Sequence, residues 1–218
     1  MIEYKTVSLA DQIFEQLEAS ILNGTYKRGD ILTEKELSAT MGVSRTPIRE
    51  ALQRLEFEDL ITENQNHGGN KVIGITKDDI KDFYAVKLRL ETLANSWAAE
   101  KITDEQLREL DNTLCQQEYF AERTDSEKVR DLDTEFHRII YNASGSRVIG
   151  GLLMTIHRKL MKYRKASLGK EHRVKDSTNE HRQLYEALKE HDVEKVNTLT
   201  LMHIKHAYEI ILQIAENE

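Results

Sequence analysis

Apolar residues recur at helical spacing through the first part of the chain. Five of them predict an amphipathic helix that closes at Asn23-Gly24: Ala10, Ile13, Phe14, Leu17 and Ile21. A second helix is predicted over LTEKELSATM, where Leu32, Leu37 and Met41 keep the same spacing. Gly42-Val43 then turns the chain into a third helix.

The third helix contains the only proline of the chain, Pro47. Ser44 is a predicted N-cap, and a proline is tolerated in the first turn because the amide that it lacks would be unpaired there. One face is apolar, with Ile48, Ala51, Leu52 and Leu55, and the other is polar, with Thr46, Arg49, Glu50 and Gln53. Two such helices joined by a short turn form a helix-turn-helix, with one side that packs and one that is free to contact a partner.

Two short β-prone runs, LITEN and KVIGI, follow the third helix. Residues 65–69, QNHGG, have the composition of a hairpin tip between them. A helix-turn-helix followed by a hairpin is a winged helix.

From Thr76 onward the pattern is helical throughout, without proline. The predicted helices cover residues 77–100, 103–122, 126–143, 146–168, 171–190 and 192–215. The fold class is therefore mainly α, with a winged helix-turn-helix and its small β-hairpin wing over 1–75 and an all-α antiparallel bundle over 76–218.

Composition limits the class of protein. No run of about 18 apolar residues and no signal-like N-terminus occurs, so we expect a soluble, cytoplasmic protein without a membrane partner. The single cysteine, Cys115, is expected to pack as a small apolar residue. The net charge of −7 is unfavourable for a nucleic-acid-binding protein, and residues 1–76 carry only eight basic against twelve acidic side chains. Any DNA affinity would have to come from local placement of Lys35, Arg45, Arg49, Arg54 and Lys71.

Residues Val7 to Ile75 resemble the DNA-binding domain of the GntR family of bacterial transcription regulators. The most specific part is GDILTEKELSATMGVSRTPIREALQRLE. The resemblance implies a homodimer on a palindromic operator in double-stranded DNA, with contacts from Glu34, Lys35, Ser44, Arg45, Thr46, Arg49, His67 and Gly68. Two departures are Gly29-Asp30, where the family usually has Pro-Gly, and Asp59, where it commonly has glycine.

Polar residues occupy apolar stripes in three helices of the predicted bundle. Asp133 and His137 share a face with Val129, Leu132, Phe136 and Ile140. His181 shares its stripe with Leu184, Tyr185 and Leu188, and His203 lies among Val196, Leu199, Ala207 and Ile210. Because one carboxylate and three imidazoles suit a divalent metal such as Zn, Ni or Mn, these four residues form a candidate metal site. A histidine taken alone is more often a satisfied core residue.

Residues Asp79 to Ile211 resemble the FCD effector domain of the FadR subfamily of GntR regulators. The motif is DTEFHRIIYNASGS, EHRQLYEAL and MHIKHA, and the resemblance assigns Asp133, His137, His181 and His203 as metal ligands. Lys87 or Arg89 would replace the arginine that the family directs at its effector, although Lys87 and Glu91 equally fit a surface ion pair. The remaining histidines at 157, 172, 191 and 206 are interpreted as structural or solvated, and Tyr163 and Arg164 as surface residues.

Together these features predict a transcription regulator, most simply a repressor, that senses a small organic acid anchored on the metal and is not an enzyme. Three alternatives remain. The metal ion could itself be the signal. A metal-dependent hydrolase would use the same ligands, but no HExxH or GxSxG motif accompanies them. A bundle could also bind a long acyl ligand without metal.

Overall fold

The computed structural model describes residues 8–64, 68–169 and 171–217. The chain divides into two compact units, Met1–Thr76 and Lys77–Glu218, one residue beyond the predicted boundary. The fold class predicted from the sequence is confirmed, since a helical unit with a small sheet precedes an all-helical unit.

The first unit contains three helices and a three-stranded sheet among its described residues. In chain order they are α1 (Leu9–Leu22), β1 (Ile31–Leu32), α2 (Glu34–Met41), α3 (Arg45–Phe57), β2 (Ile61–Glu63) and β3 (Asn70–Val72). The sheet is antiparallel in the order β1-β3-β2, with Ile31 opposite Lys71 and Ile61 opposite Val72. The wing therefore has one strand more than the predicted hairpin.

The core of this unit lies where α1, α3 and the sheet meet. Ile48, Ala51, Leu52 and Leu55 of α3 are all buried, as their spacing predicts. Gly42 ends α2 in the left-handed conformation, with φ of +69°, which suits a residue without a β-carbon. Ser44 takes the N-cap position of α3, but its side chain makes no capping hydrogen bond.

The second unit is a helical bundle. Its helices are α4 (Lys77–Lys101), α5 (Asp104–Glu122), α6 (Ser126–Ala143), α7 (Arg147–Lys159), α8 (Met161–Leu168), α9 (Glu171–Lys189) and α10 (Val193–Glu216). Thr103 starts α5 with a capping box, in which its hydroxyl accepts from the amide of Gln106. None of the described helices is both long and apolar enough to cross a membrane.

Two predictions for this unit are wrong. The segment 146–168 is not one helix, because α7 ends at Lys159 and the chain restarts as α8 after Leu160. Cys115 is exposed rather than packed in the core, and the guanidinium of Arg182 lies 3.7 Å from its sulfur.

Candidate functional sites

The predicted DNA-contact residues on α2 and α3 lie at the surface of the first unit. Ser44, Arg45, Thr46 and Arg49 of α3 are exposed, as is Lys35. Glu34, Lys35 and Arg45 line one groove of about 560 Å³, together with Gly69 and Asn70 of the wing. The start of α2, the start of α3 and the wing therefore share a face.

Arg49 is paired within this face. Its guanidinium donates two hydrogen bonds to Glu34, of 2.7 Å to Oε1 and 2.8 Å to Oε2. The hydrogen bond from Arg49 lowers the pKa of Glu34, although partial burial acts in the opposite direction. Arg49, one of the predicted DNA contacts, is thus held by a carboxylate on the neighbouring helix.

The wing holds two of the predicted DNA contacts, Gly68 and His67. Gly68 is exposed at the wing with φ of +68°, whereas His67 lies outside the described residues.

Arg54 was expected to add positive charge for DNA, but it pairs with Asp11 and its guanidinium carbon stacks 4.0 Å from the centre of the Phe14 ring. Arg54 therefore ties α3 to α1.

Three of the four predicted metal ligands converge in the bundle. His137, His181 and His203 come from α6, α9 and α10, and one ring nitrogen of each lies within 4.8 Å of the other two. All three imidazoles are buried. This spacing is close enough for one small cation to be reached by all three nitrogens.

Two of these histidines have a hydrogen-bonding partner at Nδ1: His203 Nδ1 lies 2.7 Å from Glu180 Oε2, and His181 Nδ1 lies 2.9 Å from Gln117 Oε1. His137 Nδ1 lies 3.2 Å from Glu91 Oε1 but forms no hydrogen bond with it. Proteins orient metal-binding histidines in this way, because a bond at one ring nitrogen fixes the other as the ligand. His181 Nε2 is buried and without a hydrogen-bond partner, as a ligand atom would be.

Asp133, the fourth predicted ligand, is engaged elsewhere. One of its oxygens accepts from the guanidinium of Arg164 on α8, and the same oxygen lies 3.5 Å from His157 Nε2. The other oxygen is 3.7 Å from His181 Nε2. Asp133 therefore borders the histidine cluster while its charge is neutralised by Arg164.

Burial sets the protonation of the cluster. The pKa values of His137, His181 and His157 are lowered mainly by burial, which favours neutral imidazole with a free lone pair. Burial would raise the pKa of Asp133, but Arg164 holds it well below its usual range. Neutral imidazole at His137 and His181 beside the Asp133 carboxylate is donor chemistry that a divalent metal accepts.

Lys87 and Arg89, the predicted effector contacts, point in different directions. Lys87 is 5% exposed and borders the cavity beside the histidines, where it pairs with the fully buried Glu91. The alternative of a surface pair is therefore wrong. Arg89 is exposed and donates to the carbonyl of Ala85 on its own helix, so the structure does not bring it to the cavity.

The sequence interpretation did not assign His157 and Arg164 to the cavity. His157, interpreted as structural or solvated, is 2% exposed and therefore structural, whereas Arg164 was expected at the surface and instead pairs with Asp133. A signal was present, because His157, Leu160, Arg164, Ser167 and Leu168 follow helical spacing and all line the cavity. The basic residues around Arg164 favoured a surface interpretation of this stripe.

Two family models match the chain. Residues 9–69 match "Bacterial regulatory proteins, gntR family", and residues 82–206 match the FCD domain. The chain belongs to the GntR family and carries an FCD domain. The first unit is therefore the GntR DNA-binding domain, and the histidine cluster lies in the FCD domain.

Relatives agree with this assignment. The HTH-type transcriptional regulator YcbG of Bacillus subtilis is 31% identical, covering 94% of this chain and 91% of its own. The HTH-type transcriptional repressor RspR of Escherichia coli is 24% identical over 97% of this chain and 92% of its own. The solved structure of E. coli McbR/YncC superposes with a TM-score of 0.78 at 23% identity, covering 96% of this chain and 99% of its own, and supports the fold.

Membership decides the general class of activity. GntR helix-turn-helix domains bind DNA and FCD domains bind small-molecule effectors, so this chain is a transcription regulator and not an enzyme. The predicted hydrolase alternative is thereby set aside.

Proposed function

We propose that the protein is a repressor that binds a palindromic operator as a homodimer and is released by a small carboxylate held on a divalent metal in the FCD domain. The observation that carries the proposal is the set of three buried imidazoles, of which one ring nitrogen each lies within 4.8 Å of the others. Metal binding is supported further by the acceptors Glu180 and Gln117 at Nδ1 of His203 and His181.

His137, His181 and His203 would hold the metal, with Asp133 as the fourth ligand. A bound divalent cation would supply Lewis acidity and open coordination positions for carboxylate oxygens. The residues around it would position the effector: Lys87 supplies buried positive charge, and Tyr84 lies in the same cavity wall. The lowered pKa values of His137 and His181 favour metal binding over protonation at these two residues.

DNA recognition would use the shared face of α2, α3 and the wing. Arg45 and Arg49 are placed to contact base edges, and Lys35, Ser44 and Thr46 to contact phosphates. The wing would add Gly68 and His67. Because each chain offers few cations, two copies on a two-fold operator would double the contacts and fix the half-site spacing.

A surface on α4 and α7 supports a second copy of this chain as the partner. The two helices pack through Leu90, Ala94, Ile149 and Leu153. Next to this contact, four large apolar side chains remain exposed: Val86 and Leu93 on α4, and Val148 and Leu152 on α7. A stable homodimer interface is rich in such residues. Light scattering of Val148→Glu/Leu152→Glu should give a monomer, whereas the same charge at exposed Leu201 on α10 should leave the dimer intact.

The size of the cavity also favours a second candidate function, that of a metal sensor. It encloses about 40 Å³, room for about three water molecules at roughly 10–15 Å³ each. So small a space suits a short acid, or the metal ion alone as the signal. A metal sensor would leave its operator when metal is added without any organic acid.

Elemental analysis combined with fluorescence polarisation on a palindromic GntR-type probe tests the proposal. We expect about one metal per chain in the native protein and loss of metal in His137→Ala/His203→Ala, with operator binding retained. His172→Ala, a change at an exposed histidine, is the matched control. A native protein that stays metal-free after metal add-back would contradict the metal anchor but leave the DNA-binding assignment standing.

A further inference from the structure

The two oxygens of the Asp133 carboxylate have different neighbours. Oδ1 lies 3.7 Å from His181 Nε2, a buried ring nitrogen without a hydrogen-bond partner. Oδ2 accepts a hydrogen bond from the guanidinium of Arg164 on α8. One oxygen is therefore held by Arg164, and the other borders the three converging histidines.

Arg164 is itself fixed in this position. Its Nη2 also donates to the hydroxyl of Thr134, at 3.2 Å, on the same helix as Asp133. The side chain of Arg164 is 12% exposed and that of Asp133 is 7% exposed, so water competes little for the pair. Because a charge-assisted hydrogen bond is stronger than a neutral one, Arg164 restricts the rotation of the carboxylate.

His157 of α7 approaches the same oxygen that Arg164 holds. Its Nε2 lies 3.5 Å from Asp133 Oδ2, and its side chain is 2% exposed. The imidazole and the guanidinium together crowd Oδ2. Oδ1 is therefore the oxygen that a cation among the three histidines can reach.

Building on the proposed function, we propose that Arg164 is a positioning residue for the metal: it holds Asp133 by Oδ2, so that Oδ1 alone joins the imidazoles as a donor. Arg164 does not contact the metal in this arrangement and acts only through Asp133. In metal sites generally, removal of a residue that orients a ligand costs about 10- to 100-fold in metal affinity.

Two effects of Arg164 on the metal oppose each other. Its positive charge repels a divalent cation, whereas its hold on Asp133 keeps a negatively charged oxygen oriented for that cation. Without Arg164 the carboxylate could turn, and ordering it again would cost conformational entropy when the metal binds. We expect orientation to prevail while Asp133 is present. Without the carboxylate, only the repulsion should remain.

A double-mutant cycle on the chelator-stripped full chain tests this role, with the affinity for Zn²⁺ measured by competition with a chelating dye. Arg164→Gln should weaken Zn²⁺ binding by about tenfold or more when Asp133 is present. In the Asp133→Asn background the same change should leave Zn²⁺ binding unchanged or tighten it, because no carboxylate is left to orient. A residue that merely supports the bundle would weaken binding in both backgrounds alike.

Arg164→Lys is a milder second variant for a chain that tolerates the glutamine poorly. It keeps the charge but loses the planar fork, so it should weaken Zn²⁺ binding by less than Arg164→Gln, and only when Asp133 is present. Lys165→Gln removes one positive charge from the next residue of α8, which is exposed, and should bind Zn²⁺ like the unmodified chain. Circular dichroism and operator binding show which variants are folded.

Two results would overturn the positioning role: an Arg164→Gln variant that binds Zn²⁺ as tightly as the unmodified chain, or an equal loss of affinity in both backgrounds. Either result would leave the proposed metal anchor standing, since the unmodified chain would still bind Zn²⁺. An unmodified chain that binds no Zn²⁺ would overturn the anchor and the positioning role together.

Discussion

Glu34 on α2 holds Arg49 on α3 through two hydrogen bonds of 2.7 and 2.8 Å. Arg49 is exposed, and its free side chain would otherwise sample many rotamers. The pair fixes the guanidinium on the proposed DNA-contact face, but it also places a negative charge there. If this face contacts DNA as proposed, the negative charge of Glu34 disfavours binding to random sequences.

Glu34→Gln should tighten binding to random DNA by about fivefold, or roughly 1 kcal/mol, because it removes one negative charge and frees Arg49 for phosphate. The ratio of operator to random affinity should fall. Fluorescence polarisation at several salt concentrations checks both. Glu15→Gln on α1 removes the same charge and should change neither; equal effects of the two variants would refute a specific role for Glu34.

The sequence was sufficient to predict the helix-turn-helix because its signals are local. A glycine at the end of α2, a proline in the first turn of α3 and the Ile48 stripe each act within one or two turns of helix. The partner of Arg49 was beyond such reasoning, since Glu34 is fifteen residues away. The third strand was missed for a similar reason, because β1 is only two residues long and exists by pairing with β3.

Asp59→Gly should stabilise the DNA-binding domain by about 0.5–1 kcal/mol. Asp59 has φ of +57°, a left-handed conformation that costs L-residues energy and glycine little. Glycine, which the GntR resemblance implies at this position, would adopt the same conformation without this strain. Chemical denaturation followed by circular dichroism measures the change, and Asp59→Ala should instead destabilise. A less stable glycine variant would show that the aspartate side chain outweighs its backbone strain.

The start of α1 should contribute to acid sensitivity. The pKa of Asp11 is lowered first by the Ser8 hydroxyl, 2.7 Å away, and then by Arg54. Since the folded pKa lies below the unfolded value near 3.8, the ionised carboxylate stabilises the fold above that pH, and the contribution is lost as pH falls below it. Ser8→Ala should raise the pKa of Asp11, which NMR titration can follow. An unchanged midpoint would assign the shift to Arg54 instead.

The bundle interior was predictable only where polar residues interrupt apolar stripes. Asp133, His137, His181 and His203 stand out in this way, and the structure places the three histidines together. His157 and Arg164 escaped notice because the segment was interpreted as one amphipathic helix with a basic surface. The helical spacing of the stripe that contains His157 and Arg164 carried a signal for the cavity, but the pairing of Arg164 with Asp133, 31 residues away, could not be predicted from local spacing.

Zinc should raise the melting temperature of the FCD domain, and His203→Gln should abolish that gain. A ligand that binds only the folded state stabilises it by about 2.7 kcal/mol at a free concentration of one hundred times Kd, which corresponds to roughly 5–10 °C for a domain of this size. Glutamine removes the imidazole ligand, but its amide can still donate to Glu180, which His203 contacts at 2.7 Å. The metal-free variant should therefore melt close to the unmodified chain.

Scanning calorimetry with and without excess Zn²⁺ makes this comparison. His172→Gln carries the same chemical change at an exposed position and should keep the full zinc-dependent shift. If His203→Gln kept it too, zinc would act through other groups and the converging histidines would be core residues. If the metal-free variant melted far below the unmodified chain, the pairing of His203 with Glu180 would matter for folding itself, beyond any ligand role.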